Sequence, residues 1–246
     1  KSLIYNVNRQ QTRVRLFESG LCFSQPPNLA DLAFDNISQI RKLAGVVCGP
    51  RQDENWSNDP QLVDFFDVKG DIESVLALTG QAESFQFVAQ SHPALHSGQS
   101  AAIQKDGETV GYVGLLDPRI QQQLDIRFPI FLFELTVDPV IAKKLAHSEP
   151  MSRFPEVRRD IAVIVDQGAT AAELRQCITT AATDTLQNLK LFDVYQGKGI
   201  DPNRKSLAIG LTFQHASRTL TDNEINNSVD KIVTSLEAQF GASLRN

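Results

Sequence analysis

Residues 152–166 read SRFPEVRRDIAVIVD, and this stretch decides the fold of the second half of the chain. Pro155 makes the Arg153-Phe154-Pro155 run a rigid elbow, because proline fixes its own φ and drives the preceding residue toward extended backbone. Beyond the paired Arg158 and Arg159, Ile161, Val163 and Val165 fall on one face, with Ala162 and Ile164 on the other. A period of two predicts a strand. Arginines at adjacent strand positions point to opposite faces, so only one of the pair can serve any single surface. A strand flanked by fixed positive charge suits docking against something long and anionic.

Downstream, Gly168 breaks the strand, and Thr170 with Glu173 three residues on reads as a capping box. A helix over 171–183 follows, with Leu174, Ile178 and Ala181 on its inner stripe. A second strand over 189–196 closes at the Gly197–Gly199 turn. In the third, over 206–214, Leu207, Ile209, Leu211 and Phe213 alternate with Ser206, Ala208, Gly210 and Thr212. Thr221 and Glu224 form another capping box, and the helix behind them buries Ile225, Val229, Ile232, Val233, Leu236 and Phe240 before Gly241 ends it. Residues 243–245 make a last short strand. This order predicts a four-stranded antiparallel sheet with both helices on one side, a ferredoxin-like βαββαβ domain. The other face carries small and polar residues and is either solvated or meets a partner.

Upstream, strands are expected over 14–23, 44–48, 99–103, 110–116 and 129–137. A helix over 62–78 has Val63, Phe66, Ile72, Val75 and Leu76 placed for burial. Short strands with hairpin connections and few helices predict a largely antiparallel sheet, so the class is α+β. The run AKKLAHSEPM at 142–151 reads as a helix end passing into a proline connector, dividing the chain into 1–150 and 151–246.

At 246 residues, 41% apolar and 22% charged, the chain has the composition of a soluble globular protein with room for two domains. No apolar run approaches the roughly 18 residues that span a bilayer, so no membrane partner is expected. Cys22, Cys48 and Cys177 lack CxxC spacing and read as reduced thiols of a cytoplasmic protein. The start, KSLIYNVNRQ, has no signal-peptide core and no initiator Met, so a piece of a longer polypeptide is expected. The net charge of −5 is uneven: residues 1–151 hold 13 basic and 18 acidic side chains, residues 152–246 hold 11 of each. The acidity belongs to the first part, and the second can still present a basic face.

No catalytic constellation stands out. Gly107, Gly111 and Gly114 belong to a hairpin turn and a strand, not to a phosphate-cradling loop ahead of a helix. His92 and His96 are four apart, but Pro93 and Gly98 place them in a loop with no third ligand in reach, and His147 and His215 are isolated. Asp64, Asp67, Asp71 and Glu73 read as one acidic helix face, either solvated or facing a basic partner. Trp56 reads as the anchor of a polar loop. Base-specific RNA reading wants paired aromatics on the middle strands, and only Tyr195 qualifies. Salt-sensitive backbone contact by Arg158, Arg159, Lys190, Lys198, Arg204 and Lys205 is the expected mode.

RFPEVRRDIAVIVD at 153–166, LFDVYQGKGI at 191–200, KSLAIGLTFQ at 205–214 and SRTLTDNEI at 217–225 resemble a ferredoxin-fold anticodon-binding domain. It is the one that ends bacterial phenylalanine–tRNA ligase beta subunits. VRLFESG at 14–20, FFDVKGDIE at 65–73, HPALHSGQSA at 92–101 and VGYVGLLDP at 110–118 resemble the synthetase-core-like domain of the same subunits. The resemblance implies a class II synthetase-like antiparallel sheet domain over 1–150, without catalytic residues, and an anticodon-binding domain over 151–246. It implies an alpha2-beta2 tetramer whose alpha subunit activates phenylalanine. The implied partners are that alpha subunit and the phenylalanine-specific tRNA, with no DNA. ATP and magnesium are implied for the whole ligase, and no cofactor for this part. The family's editing domain and magnesium-binding segment lie further toward the N-terminus and match nothing here.

The sequence agrees with a silent core. A class II motif holds ATP with an arginine two residues before its glutamate, but Leu16 precedes Glu18, and 138–144 supply neither arginine nor a glycine-rich turn. By position, the resemblance assigns tRNA contact to Arg153, Arg158, Arg159, Lys190, Tyr195, Lys198, Arg204 and Lys205. The competing reading is a stand-alone ferredoxin-like regulatory or small-molecule-binding protein without catalysis.

Overall fold

The computed structural model describes residues 1–24, 37–57, 61–142, 151–182 and 184–245. The chain forms two compact units, Lys1–His147 and Ser148–Asn246. The connector expected at 142–151 lies, apart from its two ends, outside the described residues, as do His147 and the expected helix end at Thr183.

The first unit is a six-stranded antiparallel sheet. Its strands are β1 (Val14–Ser24), β2 (Ser38–Cys48), β3 (Phe85–Ala89), β4 (Leu95–Lys105), β5 (Glu108–Leu116) and β6 (Ile130–Thr136), in the order β1-β2-β6-β5-β4-β3. Helices α1 (Ser2–Val7), α2 (Phe65–Ala77), α3 (Pro118–Leu124) and α4 (Val137–Ile141) accompany it. Alternation along the strands supplies two cores. Val47, Ile103, Val113, Phe131 and Leu135 pack with Val68, Ile72 and Leu76 of α2. Val14, Cys48, Leu116 and Ile130 pack with Leu3 of α1, and Ile120 and Leu124 of α3 lean on them. Both faces are therefore covered by helices.

Several expectations need correction here. The helix starts at Phe65, not at 62, because Asp64 caps it: its side chain accepts from the Asp67 N–H while Asp67 accepts from the Asp64 N–H. The buried stripe runs through Val68, Ile72 and Leu76, which turns Phe66 outward, 74% exposed. The loop expected at 92–101 ends early, since His96 and Gly98 already lie in β4, whose register shift between Leu95 and Ser100 absorbs the irregular run. Trp56 is 99% exposed and does not anchor its loop among the described residues. The Asp106-Gly107 pair does form the hairpin turn, both residues at positive φ. Beyond Lys42 the β2 strand loses β6 as a neighbour, so the outer parts of β1 and β2 form a two-stranded ribbon. On one side of β1 the ribbon carries Phe17, Leu21 and Phe23 in the open.

The second unit is a four-stranded antiparallel sheet of order β10-β7-β9-β8. Its elements are β7 (Val157–Asp166), α5 (Ala171–Ala181), β8 (Leu186–Tyr195), β9 (Arg204–Phe213), α6 (Asp222–Phe240) and β10 (Ser243–Leu244). This is the ferredoxin-like arrangement expected from the period. One core holds it: Ile161, Val163 and Val165, Leu207, Ile209, Leu211 and Phe213, with Leu174, Cys177 and Ile178 of α5 and Ile225, Ile232 and Leu236 of α6. Cys177 takes a place on the stripe of α5 that had been given to Ala181, which is only half-buried. Burial pushes the Cys48 and Cys177 thiols up from their ordinary range, so both act as small apolar groups.

Both capping boxes form, Thr170 with Glu173 and Thr221 with Glu224. Arg218 also grips Glu224 with two hydrogen bonds, of 2.6 and 2.9 Å. That guanidinium, helped by the Thr221 amide, lowers the Glu224 carboxyl to about 2. Gly241 ends α6 at φ +56, the left-handed conformation glycine takes without strain. Strand β8 is irregular, with register shifts between Leu186 and Asn188 and between Leu191 and Asp193.

Candidate nucleic-acid interface

The face of the second sheet turned away from α5 and α6 is set by strand register. Arg158, Thr212 and Asn188 share one row; Asp160, Gly210 and Lys190 the next; Ala162, Ala208 and Asp193 a third; Ile164, Ser206 and Tyr195 a fourth. Small side chains on β9 leave a shallow floor, and long side chains from the flanking strands cross it.

Arg158 crosses at Gly210. A Cβ there would stand 2.8 Å from the Arg158 Nη2, so the missing side chain is what lets the guanidinium lie flat across β9. It reaches Phe192 on β8, with 5.4 Å from its central carbon to the ring centroid. Its Nε donates to Asp160 at 2.7 Å. A second pair crosses further along: Arg245, whose backbone N–H donates to Ala162, sets its guanidinium 4.9 Å from the Tyr195 ring centroid. The Tyr195 hydroxyl donates to the Lys198 carbonyl at 3.2 Å, fixing the ring beside Gly197. Arginine planes stacked on rings keep their edges free for acceptor oxygens. With exposed Lys190 in the Gly210 row, the face combines cationic groups with two aromatic rings.

The sequence reading missed Phe192 and Arg245. Simple alternation with Lys190 already puts Phe192 on this face, and that signal was legible. The register shift at Leu191 and Asp193 is what brings Tyr195 onto the same face. Arg245 reaches Tyr195 across β7 and β9, which no local pattern records.

The other candidates separate. Arg159 points to the helix side, where its Nη2 donates to Asp222 at the start of α6 at 2.8 Å. Arg204 is a brace: one Nη donates to the carbonyls of Ile164 (2.9 Å) and Gly241 (2.6 Å), and its buried Nε, 3.7 Å from Asp166, has no hydrogen-bond partner among the described residues. The Lys205 ammonium donates to the Gln167 carbonyl at 2.9 Å. Arg153 and Lys198 are exposed. The elbow itself is fastened to the end of β9, since the Ser152 hydroxyl donates to the His215 carbonyl (2.9 Å) and Gln214 donates to the Phe154 carbonyl (2.8 Å). Of the eight, then, Arg158, Lys190 and Tyr195 come together.

In the first unit the four acids do not make one face. Asp64 and Asp67 close the cap, Asp67 also pairs with Arg51 at 2.7 Å, and Glu73 pairs with Lys69. Leu16, at the position where an ATP-holding arginine would stand, is packed against the α1-side core. Among the described residues no group of three or more His, Cys, Asp or Glu could hold a metal ion, and no helix is long and apolar enough to cross a membrane.

Residues 1–137 match the phenylalanyl tRNA synthetase beta chain CLM domain, and residues 152–245 the ferredoxin-fold anticodon binding domain. Over 245 residues the chain is 48% identical to the phenylalanine–tRNA ligase beta subunit of Pseudomonas fluorescens, covering 100% of this chain. The same subunit of Sodalis glossinidius is 47% identical over 99% of the chain, and that of Pseudoalteromonas translucida 43% over 99%. The chain spans 30% of the length of each of these relatives. Among solved structures, pyrrolysyl-tRNA synthetase from Desulfitobacterium hafniense aligns with 57% of this chain and 45% of its own, at TM-score 0.40 and 15% identity.

Proposed function

The chain belongs to the phenylalanyl-tRNA synthetase beta chain family, and from that premise we propose that it is the tRNA-gripping and subunit-contacting part of a phenylalanine–tRNA ligase beta subunit. On this reading residues 1–150 are a core-like domain without catalysis, and residues 151–246 grip the anticodon arm of the phenylalanine-specific tRNA. The alpha subunit of an alpha2-beta2 tetramer in the cytoplasm attaches phenylalanine, using ATP and magnesium.

The observation that carries the RNA-binding part is the helix-free sheet face crossed by Arg158 over Phe192 and by Arg245 over Tyr195, with Lys190 beside them. Guanidinium edges and the Lys190 ammonium take phosphate oxygens, which positions the RNA and makes binding fall with salt. The rings give unpaired bases a flat surface on which to stack. Arg153 and Lys198, exposed at the elbow and the turn, extend the phosphate contacts. On this reading Arg204 acts as a brace and Arg159 faces the helix side, and neither is given a direct contact.

The test is tRNA affinity of the chain as a function of salt, with Arg158→Glu and Lys190→Glu beside the unchanged protein. Log affinity falls linearly with log salt, and each reversal weakens binding about tenfold or more and flattens the slope. Affinity and slope that stay the same in both variants would place the RNA elsewhere.

A further inference from the structure

We propose that the first unit carries a pocket for a phosphoryl group, formed where the run into β4 meets the start of α3. It is a cavity of about 540 Å³ lined by Ser91, His92, His96, Ser97, Asp117 and Arg119 among others. Which of its polar groups are already engaged decides what it takes.

The His92 Nδ1 accepts the Ala94 N–H at 3.2 Å, and the His96 Nδ1 accepts the Gly98 N–H at 3.0 Å. A neutral imidazole that accepts at one nitrogen carries its proton on the other, so both rings offer only an Nε2–H donor. The His92 ring is held against Tyr112, their centroids 4.8 Å apart. A divalent metal is poorly served by two protonated nitrogens, which removes the cation reading that the four-residue spacing invites.

Asp117 is the one carboxylate in the lining, and its acceptors are taken. One oxygen accepts the Arg119 N–H at 2.7 Å and the Arg119 Nε at 3.0 Å; the other accepts the Nη2 at 2.9 Å. The guanidinium beside it holds the carboxyl down at about 2, so the pair stays ionised with its charges opposed. Among the described residues Arg119 keeps its Nη1 uncommitted, and its side chain is mostly exposed. The free polar hydrogens of the lining are thus two imidazole N–H groups, the remaining guanidinium edge and the serine hydroxyls. Such a wall suits an anion with several acceptor oxygens, and a phosphoryl group has that geometry. The volume lies in the range of small-ligand pockets, about 300–1,000 Å³, which leaves room for a larger group behind the phosphate.

The experiment titrates the chain with inorganic phosphate, and separately with adenosine monophosphate, at constant ionic strength, reading histidine ring ¹⁵N shifts. Saturable shifts of the His92 and His96 Nε2 signals are expected. Tighter binding of the nucleotide means that the phosphate is carried on a larger molecule; equal affinity means that the phosphoryl group alone is recognised. His96→Ala weakens binding about tenfold, Arg119→Ala more because it also bares Asp117, and His96→Gln, which keeps a donor, restores most of the affinity. Shifts that do not saturate, that sodium chloride reproduces, or that persist unchanged in both alanine variants overturn the proposal.

Discussion

The two units are both antiparallel sheets dressed with helices, but one is covered on both faces and the other on one. In the first, alternate residues of β2, β5 and β6 enter two different cores, so the inner stretches of these strands pack on both faces. In the second, alternate residues of β7 and β9 enter one core and the rest lie across a floor of Ser206, Ala208, Gly210 and Thr212. A covered sheet turns sequence into stability, and a half-covered one leaves half of its strand positions free to serve a ligand.

The same substitution on both sheets gives the sharpest contrast. A Cβ on Gly111 of β5 would stand 2.3 Å from the Glu134 carbonyl, which is backbone and cannot swing away. Gly111→Ala should therefore cost about 1–3 kcal/mol in chemical denaturation. A Cβ on Gly210 meets only the mobile end of Arg158, so Gly210→Ala should change stability by less than about 1 kcal/mol while displacing the guanidinium and weakening tRNA binding. Equal losses of stability would erase the distinction between the sheets.

Within the second unit, the adjacent arginines make the comparison finer. Arg159→Ala removes an exposed pair with Asp222 and should lower stability by about 0.2–1 kcal/mol, leaving tRNA affinity unchanged. Arg158→Ala should do the reverse, with little effect on the melting curve and a clear loss of affinity. Loss of tRNA binding in Arg159→Ala would mean that the helix side also meets RNA.

The smallest effect concerns acid. Arg218 lowers Glu224 to about 2 from 4.5, and Arg119 lowers Asp117 to about 2 from 3.8. A carboxyl whose folded pKa is depressed adds stability above its unfolded pKa and loses it as pH falls through the folded one. Both caps should therefore weaken between about pH 4.5 and 2 and be unaffected near neutrality. Carboxyl ¹³C titration checks this: Arg218→Ala should raise the Glu224 midpoint and leave Asp117 where it is, and Arg119→Ala the converse.

The second unit was the more legible from sequence, because its period, caps and glycine stop are local signals. Ile161 to Val165 and Leu207 to Phe213 alternate without interruption, and Thr170 and Thr221 announce their helices. The first unit was harder to read. The helix begins three residues later than expected and buries Val68 where Phe66 had been placed, and the register shift in β4 hid a strand behind a proline and a glycine. Short helices such as α1 and α3 bury too few residues to leave a period. At the candidate site, residue types were visible but pairings were not: Arg158 over Phe192 and Arg245 over Tyr195 join residues distant in sequence through register alone. Arg204 looked like any other basic side chain until its carbonyl partners across the fold were in view.

The two register shifts in β8 bear on more than the placement of Tyr195. This strand is the outer edge of its sheet, and a regular edge offers a row of free amides and carbonyls to any passing strand. Interrupting the ladder twice within ten residues spoils that row as a template for another chain. The edge is thereby discouraged from self-association and strand exchange, and the face remains the sticky part of the sheet.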